Sequence, residues 1–167
     1  MQIIKHNFFE DDRGDFMKTY RADDLKDMAA LSPIQETFIS KSKPGVLRGM
    51  HYQKPPFNHV KLVTVITGKI LDVAVCVDQN SKNYGKVCSA VLSNSVPQSA
   101  LIDDGYAHGF LVLGNEVATV LYHVTTAHNP EHDCGVAWNS IGFDWQAEKL
   151  ILSARDLQHP ALGQHDW

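Results

Sequence analysis

Short runs of β-branched and aromatic residues, separated by turn residues, fill the chain from residue 36 to residue 138. They follow one another at short, fairly regular intervals, which is typical of a β-sandwich or barrel. The crossover helices that a doubly wound α/β fold needs are missing between them, so that class is excluded. The predicted strands are Glu36–Ser40, Val46–Gln53, Val60–Thr67, Lys69–Val77, Val87–Leu92, Ser99–Ile102, His108–Leu113, Val117–Thr125 and Gly135–Trp138.

Shorter features flank and divide these runs. Thr67-Gly68 separates two runs of strand character and predicts a tight hairpin between them. Short helices are expected at two places, over residues 22–30 and within residues 144–156. The pattern as a whole predicts an all-β chain with short peripheral helices.

Size, charge and cysteine content restrict the class of protein. The chain has 167 residues, the size of one ordinary domain, which we expect to span residues 1–167. Its formal net charge of −4 disfavours general binding to nucleic acid or to anionic membranes. We expect neither a secretory signal peptide nor a membrane span. The three cysteines, Cys76, Cys88 and Cys134, form no CxxC pair, which indicates free thiols and a cytoplasmic location.

Two histidines are the first residues that point to chemistry. The common motifs GxGxxG, GxxxxGK[ST], GxSxG and HExxH are all absent. His51 lies six residues after Gly45, and His108 lies three residues after Gly105. A single histidine in a strand more often completes a polar core network than performs chemistry. The two spacings together, however, resemble the metal motifs of the cupin double-stranded β-helix.

The metal ligands of that motif are incomplete in this chain. Gln53 stands where a second histidine ligand belongs, and Lys61 stands where the glutamate ligand belongs. An ammonium group opposes a cation and is not a ligand unless it loses its proton. We therefore expect no metal and no other cofactor.

A lysine and two histidines at a barrel mouth suit a different task. They can bind an anion and stabilise negative charge that develops on an oxygen. With a carboxylate to orient the histidine and a phenol to return a proton, such a set suits proton abstraction next to a ketone.

Ordered motifs along nearly the whole chain carry a more specific resemblance. They are Gly45-Val-Leu-Arg-Gly-Met-His-Tyr-Gln, Lys61-Leu-Val, Leu71-Asp-Val-Ala-Val, Tyr106-Ala-His-Gly-Phe-Leu-Val-Leu, Val120-Leu-Tyr122, Val136-Ala-Trp-Asn and Leu152-Ser-Ala-Arg-Asp156. In these motifs the chain resembles the dTDP-4-dehydrorhamnose 3,5-epimerase family of nucleotide-sugar epimerases, over about residues 8–162.

The resemblance implies a homodimeric jelly roll without a metal, which inverts C3, C5 or both of a nucleotide-linked 4-keto-6-deoxyhexose in deoxysugar and cell-surface polysaccharide biosynthesis. It implies that His51 is the base, that Asp156 pairs with it, and that Tyr122 returns a proton on the opposite face. Lys61 and His108 match residues around the keto oxygen and the sugar. The other matching positions are Arg13, which would reach across the dimer, Arg48, Asp72, Asp133 and Arg155.

Strand alternation conflicts with two of these roles. Alternation places Leu47, Gly49 and His51 on one face of a strand and Arg48 on the other. For Arg48 and His51 to serve one site, the strand needs a bulge or a twist near Gly49.

The chain also departs from the family pattern at positions expected around the nucleotide. Lys18 stands where the family commonly has Glu, Glu36-x-Phe38 where it has Gln-x-Asn, and His128 where a second Tyr stacks on thymine. These departures indicate either drift at the rim of the site or a different base, sugar or number of inverted centres.

Two other functions remain open from the sequence. A sugar 3,4-ketoisomerase would use the same enolate chemistry, although Tyr122 in its epimerase context argues against it. The second alternative is a non-catalytic sugar-binding or metal cupin, against which Gln53 and Lys61 argue.

Overall fold

The fold consists almost entirely of β-strands. The computed structural model describes residues 1–21 and 33–167, so the helix predicted over residues 22–30 lies outside the described residues. The strands are β1 (Gln2–Lys5), β2 (Phe8–Asp11), β3 (Gly14–Met17), β4 (Glu36–Ser42), β5 (Leu47–Gln53), β6 (Lys61–Thr67), β7 (Lys69–Cys76), β8 (Val87–Ser93), β9 (Gln98–Ile102), β10 (Tyr106–Val112), β11 (Ala118–Val124) and β12 (Asp133–Gly135). A 3-10 helix follows at Asp156–Gln158.

Two five-stranded sheets pack on each other. The first sheet has the order β1-β9-β6-β11-β4, and the second has the order β12-β5-β10-β7-β8. Every pairing between these strands is antiparallel, and most neighbours are distant along the chain. This is the arrangement of a cupin-like jelly roll, so the all-β prediction is confirmed. No helix in the described ranges is long and apolar enough to cross a membrane.

The space between the sheets is apolar at one end and polar at the other. Ile70 and Ala74 of β7 pack in it against Val63 of β6. Since alternate residues of a strand point to one face, Asp72 and Lys61 face the same interior, and both are buried. Charged side chains are rarely buried, so these two indicate the end of the interior at which a functional site lies.

The second sheet is covered on its outer face as well. Val73 and Val75 of β7 pack there against Val136 and Trp145 from the C-terminal part of the chain. Both faces of β7 are therefore apolar, which explains why residues 70–76 read as a continuous apolar run with one aspartate.

The tight hairpin predicted at Thr67-Gly68 is wrong. β6 pairs with β9 and β11 in the first sheet, whereas β7 pairs with β8 and β10 in the second. Gly68, at φ +78°, turns the chain from one sheet to the other, and a Cβ there would lie 2.8 Å from the carbonyl oxygen of Val117. A turn that carries the chain from one sheet to another favours glycine just as a hairpin turn does, so the two have the same sequence pattern.

The bulge expected near Gly49 is present. His108 of β10 pairs with His51, but Phe110 pairs with Arg48, so two residues of β5 oppose Gly109 alone. Gly49 has φ +131°, and a Cβ there would lie 2.5 Å from the Cα of Gly109. The bulge turns Arg48 and His51 toward the same cavity.

The helical segment predicted within residues 144–156 is also wrong. Ile151 is extended and exchanges backbone hydrogen bonds with Gly45 and Leu47 at the start of β5. Only the last residue, Asp156, begins a helix, and this is the 3-10 helix. The backbone groups of this segment are thus satisfied by a neighbouring strand rather than within a helix.

Candidate active site

A cavity of about 250 Å³ opens at the polar end of the interior. Both sheets and the loops beside them line it. Its residues are Glu36, Phe38, Ser40, Arg48, His51, Tyr52, Gln53, His59, Lys61, His108, Gly109, Phe110, Tyr122, Val124, Thr126, His128, Asp133 and Arg155.

On the wall formed by the second sheet, His51 is paired with Asp156. His51 Nε2 lies 2.7 Å from Oδ1 of Asp156, whose side chain is only 5% exposed, and the N–H of Gly49 donates to Oδ2 at 3.4 Å. Burial lowers the pKa of His51, and the hydrogen bond and charge of Asp156 offset this only in part. The imidazole is therefore neutral near pH 7, with Nδ1 left to accept a proton.

Lys61 places a cation beside this pair. Its ammonium donates to the backbone oxygen of His51 at 3.1 Å. Burial lowers the pKa of Lys61 to about 8, although the charges of Asp133 and Asp72 act in the opposite direction. The side chain is therefore mostly charged at pH 7 and can stabilise negative charge on an oxygen in the cavity.

His108 lies directly across from His51 on the neighbouring strand. Its Nε2 is 2.8 Å from Oδ2 of Asp72, and both side chains are buried. Asp72 does not line the cavity itself but holds the ring of His108, which does. The pair of His108 and Asp72 repeats the arrangement of His51 and Asp156.

Tyr122 projects from β11 on the opposite wall, which belongs to the first sheet. Its ring stacks on Phe38 at 4.7 Å and 16°, and its hydroxyl lies 3.4 Å from Oγ of Ser40. Burial raises the pKa of Tyr122, and the hydrogen bond with Ser40 and the charge of Arg48 offset this only in part. The phenol therefore keeps its proton and can donate it.

Arg48 joins the site from the bulge. Its Nε donates to Ser42 at 2.8 Å, which holds the guanidinium in the cavity wall. A fixed guanidinium is suited to binding phosphate oxygens.

Polar residues frame the mouth of the cavity. The backbone N–H of His128 donates to Glu36 at 2.7 Å, and Arg155 contacts Asp133 at 2.8 Å. His128 Nδ1 lies 3.9 Å from the same carboxylate. Glu36 and His128 are thus neighbours at the mouth, whereas Phe38 stacks on Tyr122.

Two predicted site residues lie away from this cavity within one chain. Arg13 is exposed at the turn of the β2–β3 hairpin, where it pairs with Asp11 at 2.5 Å. Lys18 follows that hairpin and lines a separate cavity with Lys5 and Tyr20.

Several site residues escaped the sequence analysis. Ser40 continues the alternation of Glu36 and Phe38 along β4, a signal that could have been used. His59 stands two residues before Lys61; burial lowers its pKa to about 3, so it stays neutral and accepts a hydrogen bond from Gln53.

His159 was also missed, although it stands three residues after Asp156. His51, Asp156 and His159 each offer one ligand atom, and these atoms lie within 4.8 Å of one another. In the described part of the chain, this is the group whose atoms lie close enough together to hold a cation. Burial alone would raise the pKa of Asp156, but the contacts with His159 and His51 outweigh it and lower that pKa. The carboxylate is thus kept ionised next to the base.

A neutral imidazole and a protonated phenol on opposite walls of a cupin-like jelly roll suit the class of isomerases that move protons at carbon. The family model described as dTDP-4-dehydrorhamnose 3,5-epimerase matches residues 1–164. The chain therefore belongs to the dTDP-4-dehydrorhamnose 3,5-epimerase family, and the resemblance found in its sequence motifs is confirmed.

Individual relatives agree with this assignment. The chain is 38% identical to dTDP-4-dehydrorhamnose 3,5-epimerase of Escherichia coli K12, over 92% of this chain and 85% of the relative. A crystal structure of the enzyme from Sulfolobus tokodaii is 35% identical, with a TM-score of 0.91 over 97% of this chain and 90% of that one. The epimerase from Legionella pneumophila, solved with dTDP-4-keto-L-rhamnose, is 30% identical, with a TM-score of 0.92 over 98% and 88% of the two chains.

Proposed function

We propose that this protein inverts C3, C5 or both of a dTDP-linked 4-keto-6-deoxyhexose, as a step in deoxysugar biosynthesis. The observation that carries the proposal is the opposition of the pair His51 and Asp156 on one sheet to Tyr122 on the other. Inversion requires removal of a proton from one face of a carbon and return of a proton to the other face. The family and the structure with dTDP-4-keto-L-rhamnose support the substrate class.

The proposed reaction begins with proton transfer from the carbon next to the ketone to His51. The electron pair of the C–H bond moves onto the keto oxygen, and Lys61 stabilises the enolate because its ammonium is fixed beside the base. Tyr122 then gives its proton to the opposite face of the carbon. The imidazolium releases its proton and the phenolate regains one from water, which restores the enzyme.

The substrate would lie with its sugar between His51 and Tyr122 and its nucleotide toward the mouth. Arg48 is the candidate for binding the diphosphate, and Arg155, Asp133, Glu36 and His128 frame the position of the base. Asp72 acts through His108, whose ring it holds.

Deuterium exchange tests this function. The protein is incubated in D₂O with a dTDP-linked 4-keto-6-deoxyhexose, and NMR follows deuterium at C3 and C5 and the configuration of the product. We expect exchange with inversion, and His51→Ala should lower it by about 10²–10⁴-fold because the general base is lost. His132→Phe is the matched control, since His132 packs on Phe57 and does not line the cavity.

The same experiment separates the alternatives. Uridine, guanosine and cytidine diphosphate sugars run in parallel define the nucleotide. A carbonyl that moves to C3 would identify a ketoisomerase, and no exchange with any of the four sugars would refute the proposal.

We also propose that the protein acts as a homodimer in the cytoplasm. Phe9 and Phe16 on the β2–β3 hairpin are 64% and 56% exposed, and exposed apolar side chains clustered on one element mark an interaction surface. The three cysteines are free, which suits a reducing compartment.

A further inference from the structure

His159 occupies a slot beside the proposed base that depends on a glycine. Its side chain is 10% exposed and follows directly after the 3-10 helix that begins at Asp156. A Cβ at Gly135 would lie 2.5 Å from two atoms of the ring, so the imidazole fills the space that a side chain at that position would take. The ring is therefore held in one place by packing.

The Nε2 atom of this ring faces the carboxylate of Asp156. It lies 3.7 Å from Oδ1, and it is buried without a hydrogen-bond partner among the described residues. At that distance the contact is longer than a hydrogen bond, but an N–H at this nitrogen would still attract the buried carboxylate because water does not screen it. The ring also meets the ring of His51 edge to face, with the centroids 5.5 Å apart and the planes at 76°.

We propose that His159 is a positioning residue that holds Asp156 against His51 and moderates the basicity of that base. This inference rests on the proposed function, since it assigns a task within the same site. His159 does not line the cavity and has no contact with the space where the sugar would lie.

The effect on orientation follows from the groups that hold the carboxylate. Oδ2 accepts one long hydrogen bond, from the N–H of Gly49 at 3.4 Å, and Oδ1 is bonded to His51 at 2.7 Å. His159 approaches Oδ1 from a second direction, so it opposes rotation of the carboxylate away from the base.

The effect on basicity follows from the charges around the pair. Lys61 and Arg155 are the cations that act on His51, and Asp156 is the anion. An N–H from His159 stabilises the charge of the carboxylate and leaves less of it to stabilise an imidazolium at His51. While Asp156 keeps its hydrogen bond to His51, removal of that N–H strengthens the attraction between the carboxylate and protonated His51, and this raises the pKa of His51.

Two substitutions separate packing from polarity. His159→Phe keeps an aromatic ring against His51 and Gly135 but removes both nitrogens. His159→Gln loses the ring but restores an N–H near the position of Nε2. His132→Phe is the control for exchange of a histidine for phenylalanine outside the site. Should phenylalanine be too large for the slot, His159→Leu serves the same purpose.

We expect His159→Phe to lower kcat about tenfold with an unchanged KM, because a misplaced catalytic group costs rate rather than binding. The acid limb of the pH profile of kcat/KM should move to higher pH. His159→Gln should recover most of kcat and return the limb toward its original position. If His159 only fills space, kcat should instead be lower in His159→Gln than in His159→Phe, because glutamine disturbs the packing more than phenylalanine does.

NMR of the histidine rings tests the same idea without substrate. The ¹⁵N shifts should show His159 with its proton on Nε2, and the pKa of His51 should rise in His159→Phe but not in His132→Phe. An unchanged pKa of His51 together with wild-type kcat in His159→Phe would overturn the inference. If the wild-type protein exchanges no deuterium with any sugar while the pKa of His51 shifts as expected, the proposed function fails and the coupling stands.

Discussion

Burial prepares a proton acceptor and a proton donor on opposite walls of one cavity. It lowers the pKa of His51 and raises the pKa of Tyr122, because it disfavours the charged form of each group. At neutral pH the imidazole is therefore unprotonated and the phenol protonated. Burial thus leaves the two rings in the opposite protonation states that inversion of a carbon centre requires.

Tyr122→Phe is expected to separate exchange from inversion. Without the phenol, His51 can still remove the proton and return a deuteron to the same face, so deuterium enters the sugar while the configuration is kept. Inversion at a centre that depends on Tyr122 should fall by about 10²–10⁴-fold. NMR of the sugar after incubation in D₂O measures both events.

Tyr84→Phe is the matched control, because the ring of Tyr84 lies against His165 and outside the cavity. It should invert as the unmodified protein does. Wild-type inversion at both carbons in Tyr122→Phe would show that the proton returns from another group.

The pH profile of kcat/KM should be bell-shaped, with limbs set by His51 and Lys61. The base acts when neutral, and since its pKa is lowered from 6.5, activity should persist below pH 6.5 and decline at lower pH. Lys61 acts when charged, so activity should decline as the pH rises through about 8. In Lys61→Arg the guanidinium stays charged, so the pH profile of the remaining activity should show no alkaline limb. An acid limb at or above pH 6.5, or an alkaline limb unchanged in that variant, contradicts these assignments.

The sequence revealed the candidate reacting groups better than the groups that surround them. His51, Lys61 and Tyr122 stand in motifs with recognisable spacing, and the structure brings all three to one cavity. His59 and His159 have no motif, because their placement depends on loops and on a slot at Gly135 that only the folded chain defines. Side chains that act through burial leave little trace in local sequence.

The bulge between β5 and β10 is the element on which the geometry of the site depends. Strand alternation alone would place Arg48 and His51 on opposite faces of β5, whereas the bulge turns both side chains to the same side. Two glycines make it possible, since a Cβ at Gly109 would lie 2.7 Å from both the backbone oxygen of Arg48 and Sδ of Met50.

Gly109→Ala is therefore expected to lower both stability and activity. The methyl group must displace the backbone of β5, at a cost of about 1–3 kcal/mol in the free energy of unfolding. Because the displaced strand carries Arg48 and His51, kcat/KM per folded molecule should also fall, by about 10²-fold for a shift of 1 Å. Denaturant unfolding and deuterium exchange measure the two effects.

Gly114→Ala provides a control with a similar loss of stability. Gly114 has φ +74° with nothing within 4 Å of the position of a Cβ, so alanine strains the backbone there by about 1–2 kcal/mol without displacing the site. It should keep full activity. Full activity in Gly109→Ala would mean that the site tolerates movement of the bulge.

The strand positions could be predicted from sequence far better than the partners of the strands. Eight of the nine predicted runs between residues 36 and 138 became strands, with ends shifted by a few residues, whereas the run Gly135–Trp138 is wrong, since it meets β12 only at Gly135. The turn at Thr67-Gly68 was misread because a glycine corner between two sheets and a hairpin need the same backbone freedom. β1 to β3 were not predicted, since each has only four residues and most of these are exposed, which leaves a weak alternation signal.

At the scale of the molecule, the β2–β3 hairpin presents an uncovered apolar surface. Phe8, Phe9 and Phe16 are exposed along it, and Arg13 stands at its turn with 89% of its side chain exposed. An apolar hairpin with a cation at its tip suits insertion into a second copy of the chain, where Arg13 would reach the diphosphate of a nucleotide sugar. The proposed homodimer would then carry two sites, each built from both subunits.

Mixed dimers test this arrangement. Arg13→Ala and His51→Ala are co-expressed under different affinity tags, and random pairing gives dimers in which one site lacks both groups and the other is complete. Activity should recover to about a quarter of that of the unmodified protein, well above either variant alone. His51→Ala mixed with Asp156→Asn is the control and should recover no activity, because both groups belong to the same subunit.

Purification through both tags shows whether mixed dimers form. If they form and the mixture of Arg13→Ala with His51→Ala stays inactive, Arg13 does not act across the dimer. If the chain is monomeric in solution, the dimer itself is disproved, and the exposed hairpin needs another partner.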